Sequence, residues 1–257
     1  MTTAAMGAVG RPLVGARTML RTEATLMVRS PALIVWVAIL PITAAVVLGA
    51  IPAVRAPSKD LDGASWFSVY QPILIMFSMV MLAVQVLPDV ITRYREMGIL
   101  KRLRTTPASP VTLLGVQMVL AFAIETVVMV VMVVVPAGFG ASMPRNGVGF
   151  VIAYLFGTVC MLSIGLLLAS SFANPKVAGA VGTVAFFVMQ FFAGLWIPRT
   201  RMPDWMRHIS DATPSGSAVG SLTRAVGGQW PELLHLGVLA AWAVVLGVIA
   251  VRTFRWE

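Results

Sequence analysis

The sequence predicts an all-α, polytopic protein that crosses a membrane six times. Three observations predict it. Of its 257 residues, 58% are hydrophobic and only 11% are charged, with a mean hydropathy of +0.89, far from the balance of a soluble globular domain. Six apolar runs lie at 31–54, 66–91, 111–138, 148–172, 177–197 and 233–251, each near or above the ~20 residues a helix needs to cross a hydrocarbon core. The charges gather in the connections, above all in an island at 93–110 that is too polar to lie inside a bilayer. The chain therefore reads as one membrane domain, 1–257, embedded in a lipid bilayer.

Within residues 1–30, Leu13, Ala16, Leu20, Ala24 and Met27 recur at helical spacing, with Thr22, Thr25 and Arg29 roughly opposite. A helix lying in the headgroup plane fits this pattern. Arg17 and Glu23 sit at the edges of the stripe, so an ordinary polar tail fits as well. The first apolar run begins near Pro31, behind Arg11, Arg17, Arg21 and Arg29, which is not the pattern of a cleavable signal peptide. The first span is expected to stay in the mature protein. Pro41 and Pro88 read as isolated kinks in the first two spans.

Six spans put both ends on one side. Twelve of the nineteen lysines and arginines fall in 1–30, 93–110, 173–176 and 252–257, and seven fall in the opposite connections, so both termini are expected in the cytoplasm. The connections at 139–147 and 173–176 are too short to hold a domain. The 198–232 connection is longer, and two short helices are expected in it, near 203–210 and 215–226, each opened by a proline or serine and the second closed by Gly227-Gly228. Trp196, Trp205 and Trp230 also suit an interfacial belt.

In the island, Met97, Leu100 and Leu103 fall on one side of a helix while Arg95, Lys101 and Arg102 fall mainly on the other, predicting a short amphipathic helix from about Arg93 to Arg104. Pro107 ends it by pushing Thr106 out of the helical region, and Ser109-Pro110 opens the next span. The stretch Tyr94-Arg95-Glu96-Met97-Gly98-Ile99-Leu100-Lys101-Arg102-Leu103-Arg104-Thr105-Thr106-Pro107-Ala108-Ser109-Pro110, between the second and third spans, resembles the first cytoplasmic loop of type-2 ABC exporter permeases, the membrane subunits of bacterial drug, antibiotic and polysaccharide exporters. The similarity extends over nearly the whole chain and points within that family to the daunorubicin-resistance-like permeases. Phe191-Phe192-Ala193-Gly194-Leu195-Trp196-Ile197-Pro198, with Met202-Pro203-Asp204-Trp205 and Pro214-Ser215-Gly216, resembles the family's fifth-to-sixth span connection.

The resemblance implies that 93–110 is a coupling segment docking on a separate ABC ATP-binding subunit, through Arg95, Glu96, Met97, Gly98, Leu100, Lys101, Leu103 and Pro107. It implies a re-entrant extracellular segment at 198–232, marked by Pro198, Pro203, Trp205 and Pro214. It also implies a second permease, either a copy or a homologue, and a hydrophobic small-molecule substrate, in a bacterial plasma membrane. From charge alone, the island is equally satisfied as a signal that fixes topology.

The chemistry the chain could carry is limited. Lys59 follows Ser58, Lys101 follows Leu100 and Lys176 follows Pro175, so no Gly-Lys-Ser/Thr phosphate loop exists. No cofactor is expected on this chain, and the resemblance implies that ATP and Mg are bound by the partner subunit. The net charge of +9 has no basic cluster standing free of a span, so loop charges and anionic lipid explain it and nucleic acid is not an expected partner. Cys160 is the one cysteine, which excludes an intrachain disulfide and a cysteine metal site. His208 and His235 form no His-x-x-x-His pair and no Gly-x-Ser-x-Gly turn occurs, leaving no metal or catalytic residues for an enzyme, though an intramembrane enzyme stays as a remote class. Glu125, deep in the third span, must face protein or a cavity. With Gln85 and Gln190 as its expected neighbours, it marks a candidate substrate pathway, or the proton site of a secondary transporter.

Overall fold

The computed structural model describes residues 11–31, 33–61, 63–99 and 110–253. The architecture is all-α. A leading helix α1 (Arg11–Val28) is followed by α2 (Leu33–Ala50), α3 (Trp66–Glu96), α4 (Pro110–Gly138), α5 (Gly147–Ser171) and α6 (Pro175–Ala193). Two short helices, α7 (Asp204–Ala212) and α8 (Pro214–Val226), lead to α9 (Leu233–Thr253). Among the described residues, six helices, α2 to α6 and α9, are long and apolar enough to cross a membrane.

Local chemistry explains where these helices begin and end. Ser65 and Ser68 form a reciprocal capping box at the start of α3. Asn146 accepts from the Gly149 amide at 2.8 Å to open α5, and Asn174 accepts from the Lys176 amide at 2.8 Å, with Pro175 at the first helical position of α6. Gly194, at φ +94°, closes α6 as a left-handed cap. The fifth span therefore stops at Ala193 and not near residue 197.

Both proline kinks are preceded by a widened helical turn. The backbone is π-helical over Leu33–Ile39 before Pro41 and over Leu82–Val86 before Pro88. A proline has no N–H for the carbonyl four residues back and crowds it, and the wide turn makes room. In α3 the turned-out carbonyls become packing surface: Gly182 of α6 lies against the Val84 carbonyl and Gly165 of α5 against that of Ala83. Only a residue without a side chain lets the backbones approach this closely. Pro88 is therefore part of a three-helix junction.

Helix α3 is the central pillar, with every residue from Gln71 to Val80 buried. Around it, α4, α5, α6 and α9 turn apolar side chains outward, among them Val119, Val127, Val159, Val184, Phe187 and Val245. Buried polar groups tie neighbours together: Gln71 donates to the Met132 carbonyl at 3.2 Å, and the Thr126 and Tyr154 hydroxyls lie 2.8 Å apart.

Helices α7 and α8 form a hairpin that enters the bundle from the end where α4 passes to α5. The amides of Arg145 and Asn146 there reach the Val226 and Ala225 carbonyls at the top of α8. The hairpin tip lies deep, since the Trp242 indole, about 13 Å along α9 from Leu233, donates to the Ala212 carbonyl at 3.0 Å. Ser215 to Leu222 of α8 are all buried. Both short helices are slightly longer than the sequence suggests, because Thr213 accepts from the Gly216 amide and allows α8 to start at Pro214 directly after α7.

The expected helix starting at Arg93 needs correction. Residues 93–96 are the last turn of α3, and Gly98 at φ +68° then breaks the backbone. Helical backbone resumes at Ile99, while Leu100, Lys101, Leu103 and Pro107 lie outside the described residues.

Candidate functional site

The end of the bundle where α3 leaves for α4 is knitted by polar side chains. Glu23 of α1 is buried; Tyr94 Oη donates to its carboxylate at 2.8 Å and Gln117 of α4 donates to the same oxygen at 2.5 Å. Burial raises the Glu23 pKa above its ordinary value, and these two hydrogen bonds oppose the rise. The carboxylate at the edge of the α1 stripe is therefore the residue that pins α1 to α3 and α4. Thr22 and Thr25, on the exposed side, bond back to their own helix.

One residue on, Arg95 donates to the carbonyls of Phe172 at 2.7 Å and Ala169 at 3.2 Å. These are end carbonyls of α5, which lack helical partners, so the guanidinium caps that helix. Arg95 therefore points into the chain, whereas Glu96 and Met97 are exposed, Met97 by 57%. Of the residues expected to dock that are described, Glu96 and Met97 stand outward, Gly98 is half-buried and Arg95 turns inward.

Between α2, α3 and α6 lies a cleft of about 660 Å³. Its walls are Trp36 and Leu40 of α2, Phe77 and Met81 of α3, and Phe186 and Phe187 of α6. Its polar features are Gln85, which donates to Thr183 Oγ1 at 3.0 Å, and the Asp89–Arg93 ion pair at 2.8 Å. A second groove of about 440 Å³ shares Ser30, Val86, Val90 and Arg93 with the cleft and runs on to Met97 and Ile99.

Glu125, Gln85 and Gln190 are not brought together. Glu125 is completely buried, and its partner is Ser78 of α3, whose hydroxyl lies 2.6 Å from Oε1. Gln85 lines the cleft on another side of α3. Gln190 is buried in α6 with its amide unpaired among the described residues. A serine one helix away, 47 positions back in sequence, takes the place expected for the glutamines.

At the opposite end, Pro198 is buried ahead of the turn Arg199–Arg201, Pro203 precedes α7, Pro214 starts α8, and Trp205 is 63% exposed. Arg199 pairs with Asp211 and Ser210, and His235 Nε2 lies 3.1 Å from Asp211. His235 is thus buried in a polar cluster holding the hairpin to α9.

Residues 15–225 match the model of the family described as ABC-2 type transporter. The chain belongs to the ABC-2 type transporter family. A Bacillus subtilis (strain 168) protein named "Putative transport permease YvfS" is 25% identical over 184 residues, which cover 68% of this chain and 73% of that protein. Family membership makes the chain a membrane permease component of an ABC transporter, which works with an ATP-binding partner. In this permease the loop motif was visible in the sequence, whereas the clamps were not. Glu23 signalled itself only by interrupting an apolar stripe. Asp89, Thr183 and Ser78 gave no signal, because their partners come from other helices or form ordinary pairs.

Proposed function

We propose that this permease exports a hydrophobic compound, such as a drug, an antibiotic or a lipid-linked product, in the manner of the daunorubicin-resistance-like branch. ATP is hydrolysed on a separate subunit that docks at 93–110, and a second permease, a copy or a homologue, completes the pathway. The reading places the chain in a bacterial plasma membrane with both termini cytoplasmic and the α7–α8 hairpin dipping from the outer face. The observation that carries it is the continuity of two cavities. The aromatic and aliphatic cleft between α2, α3 and α6 runs through Val86, Val90 and Arg93 into the groove at Met97, where the docking segment begins. An apolar substrate loses water in such a cleft, and Gln85 and Thr183 supply a few directional contacts. The proton-coupled alternative requires Glu125 to exchange protons with water, and its complete burial against Ser78 supports the ATP-driven reading.

The test is ATPase stimulation in nanodiscs holding the permease with its ATP-binding subunit. Hydrophobic compounds should raise turnover, and Thr183→Trp, which fills the cleft, should abolish the stimulation while leaving basal turnover unchanged. Stimulation that survives the filled cleft would move the substrate site elsewhere. Leu100→Asp should abolish assembly or coupling, because an unpaired carboxylate in an apolar contact costs about 3 kcal/mol. Normal assembly and transport would leave 93–110 as a topology signal only.

A further inference from the structure

The hairpin end of the bundle holds another cavity, of about 400 Å³, between α3, α8 and the start of α9. The His235 side chain lines it, although only 7% exposed. Its Nε2 faces Asp211, a carboxylate that also accepts from Arg199, so in the singly protonated ring the hydrogen sits on Nε2 and Nδ1 presents a lone pair. That Nδ1 is buried and has no hydrogen-bond partner. Across from it, at 3.9 Å, lies Oε2 of Glu232, which Arg224 holds in place through Oε1 at 2.8 Å. Two acceptors therefore face each other over a gap too wide for a direct hydrogen bond.

Gly220 leaves the room for this arrangement: a Cβ there would sit 3.0 Å from His235 Cε1 and 3.3 Å from Nδ1. Arg199, Arg207 and Arg224 also line the cavity, but they are engaged by Asp211, Asp204 and Glu232 Oε1, which leaves Glu232 Oε2 facing Nδ1. The complement of these two acceptors is a compact cation with several N–H bonds. We propose that this cavity binds a primary ammonium group, with His235 Nδ1 and Glu232 Oε2 accepting its hydrogens. The ammonium comes either from an aminophospholipid headgroup or from the amino group of a free amphiphile. The site is separate from the α2–α3–α6 cleft and does not depend on what that cleft carries.

The chain has two histidines, and His208 is exposed, so His208→Asn leaves one imidazole to observe. The full chain, with ¹⁵N-labelled histidine, is placed in phosphatidylcholine nanodiscs, whose headgroup has no N–H. Without added amine, Nδ1 should be bare; a ring that carries hydrogens on both nitrogens would make Nδ1 a donor to Glu232 and overturn the proposal. Dodecylammonium should shift the Nδ1 resonance saturably, while dodecyltrimethylammonium, of equal charge but without N–H, should bind at least about tenfold more weakly. Equal responses to the two cations overturn it. Glu232→Gln places an amide N–H in the gap, so it should satisfy Nδ1 internally and weaken dodecylammonium binding by about tenfold or more. Unchanged binding would overturn the assignment of Glu232. Phosphatidylethanolamine discs that shift the resonance unaided and block dodecylammonium identify the lipid as the source. Discs that do neither, with dodecylammonium still binding, identify the free amphiphile.

Discussion

Replacing Gly182 by alanine tests whether α6 is seated on the widened turn of α3. A Cβ at 182 would run into the Val84 carbonyl oxygen, with the carbonyl carbon at 3.2 Å and Gln85 Nε2 at 3.5 Å. Backbone cannot step aside as a flexible side chain can, so α6 must retreat or α3 must rotate. Overpacking of this kind costs about 1–3 kcal/mol. Alanine also gains about 1 kcal/mol of helix propensity over glycine, which would blur the result taken alone. Gly179 on the same helix removes the ambiguity, because a Cβ there meets nothing within 4 Å and Gly179→Ala collects the propensity gain without a clash. The difference between the two variants therefore isolates the packing cost. At roughly 2–4 °C per kcal/mol for a chain of this size, Gly182→Ala should melt about 2–12 °C below Gly179→Ala in matched nanodiscs. Gly165→Ala, whose Cβ would meet the Ala83 carbonyl and Leu87 Cδ2 at 2.9 Å, should behave like Gly182→Ala. Equal melting temperatures for the 182 and 179 variants would refute the close backbone seat.

Further expectations follow from the polar clamps. Arg95→Ala should lower the melting temperature by the loss of two charge-assisted bonds to the α5 end, about 1.5–3 kcal/mol for the pair of contacts in this half-buried setting, and Arg95→Lys should recover only part of it, which unfolding of the three proteins checks. Burial raises the Glu23 pKa, so its stabilising contribution is complete below the ordinary carboxylate range and is lost as pH rises through the raised value. Relative to Glu23→Gln, the wild type should therefore lose stability between acidic and neutral pH, and a constant offset across that window would contradict the assignment. Glu125→Gln keeps the Ser78 contact and lies off the cleft, so the selectivity between cationic and neutral substrates should be unchanged; selective loss of cationic transport would return Glu125 to the pathway.

The sequence by itself determined the six-helix membrane architecture, because length and hydropathy are properties of contiguous residues and each span satisfies its own backbone hydrogen bonds internally. The caps at Asn146, Asn174 and Thr213 are local as well, with partners two or three residues away, yet the apolar pattern placed those helix starts one or two residues late. The sequence misplaced residues 93–96 at the start of a separate amphipathic helix because their charge set them apart from the apolar span, whereas Gly98, with its positive φ, decides where α3 ends. Tertiary structure alone decided the partners. Tyr94 and Gln117 meet Glu23 across 71 and 94 positions, Arg95 reaches Phe172 across 77, and Gln85 meets Thr183 across 98. The physical reason is that an apolar span fits against any other apolar span nearly as well. What selects one arrangement is the few places where a glycine meets a carbonyl or a buried polar group finds its complement, and those meetings exist only after the helices have packed.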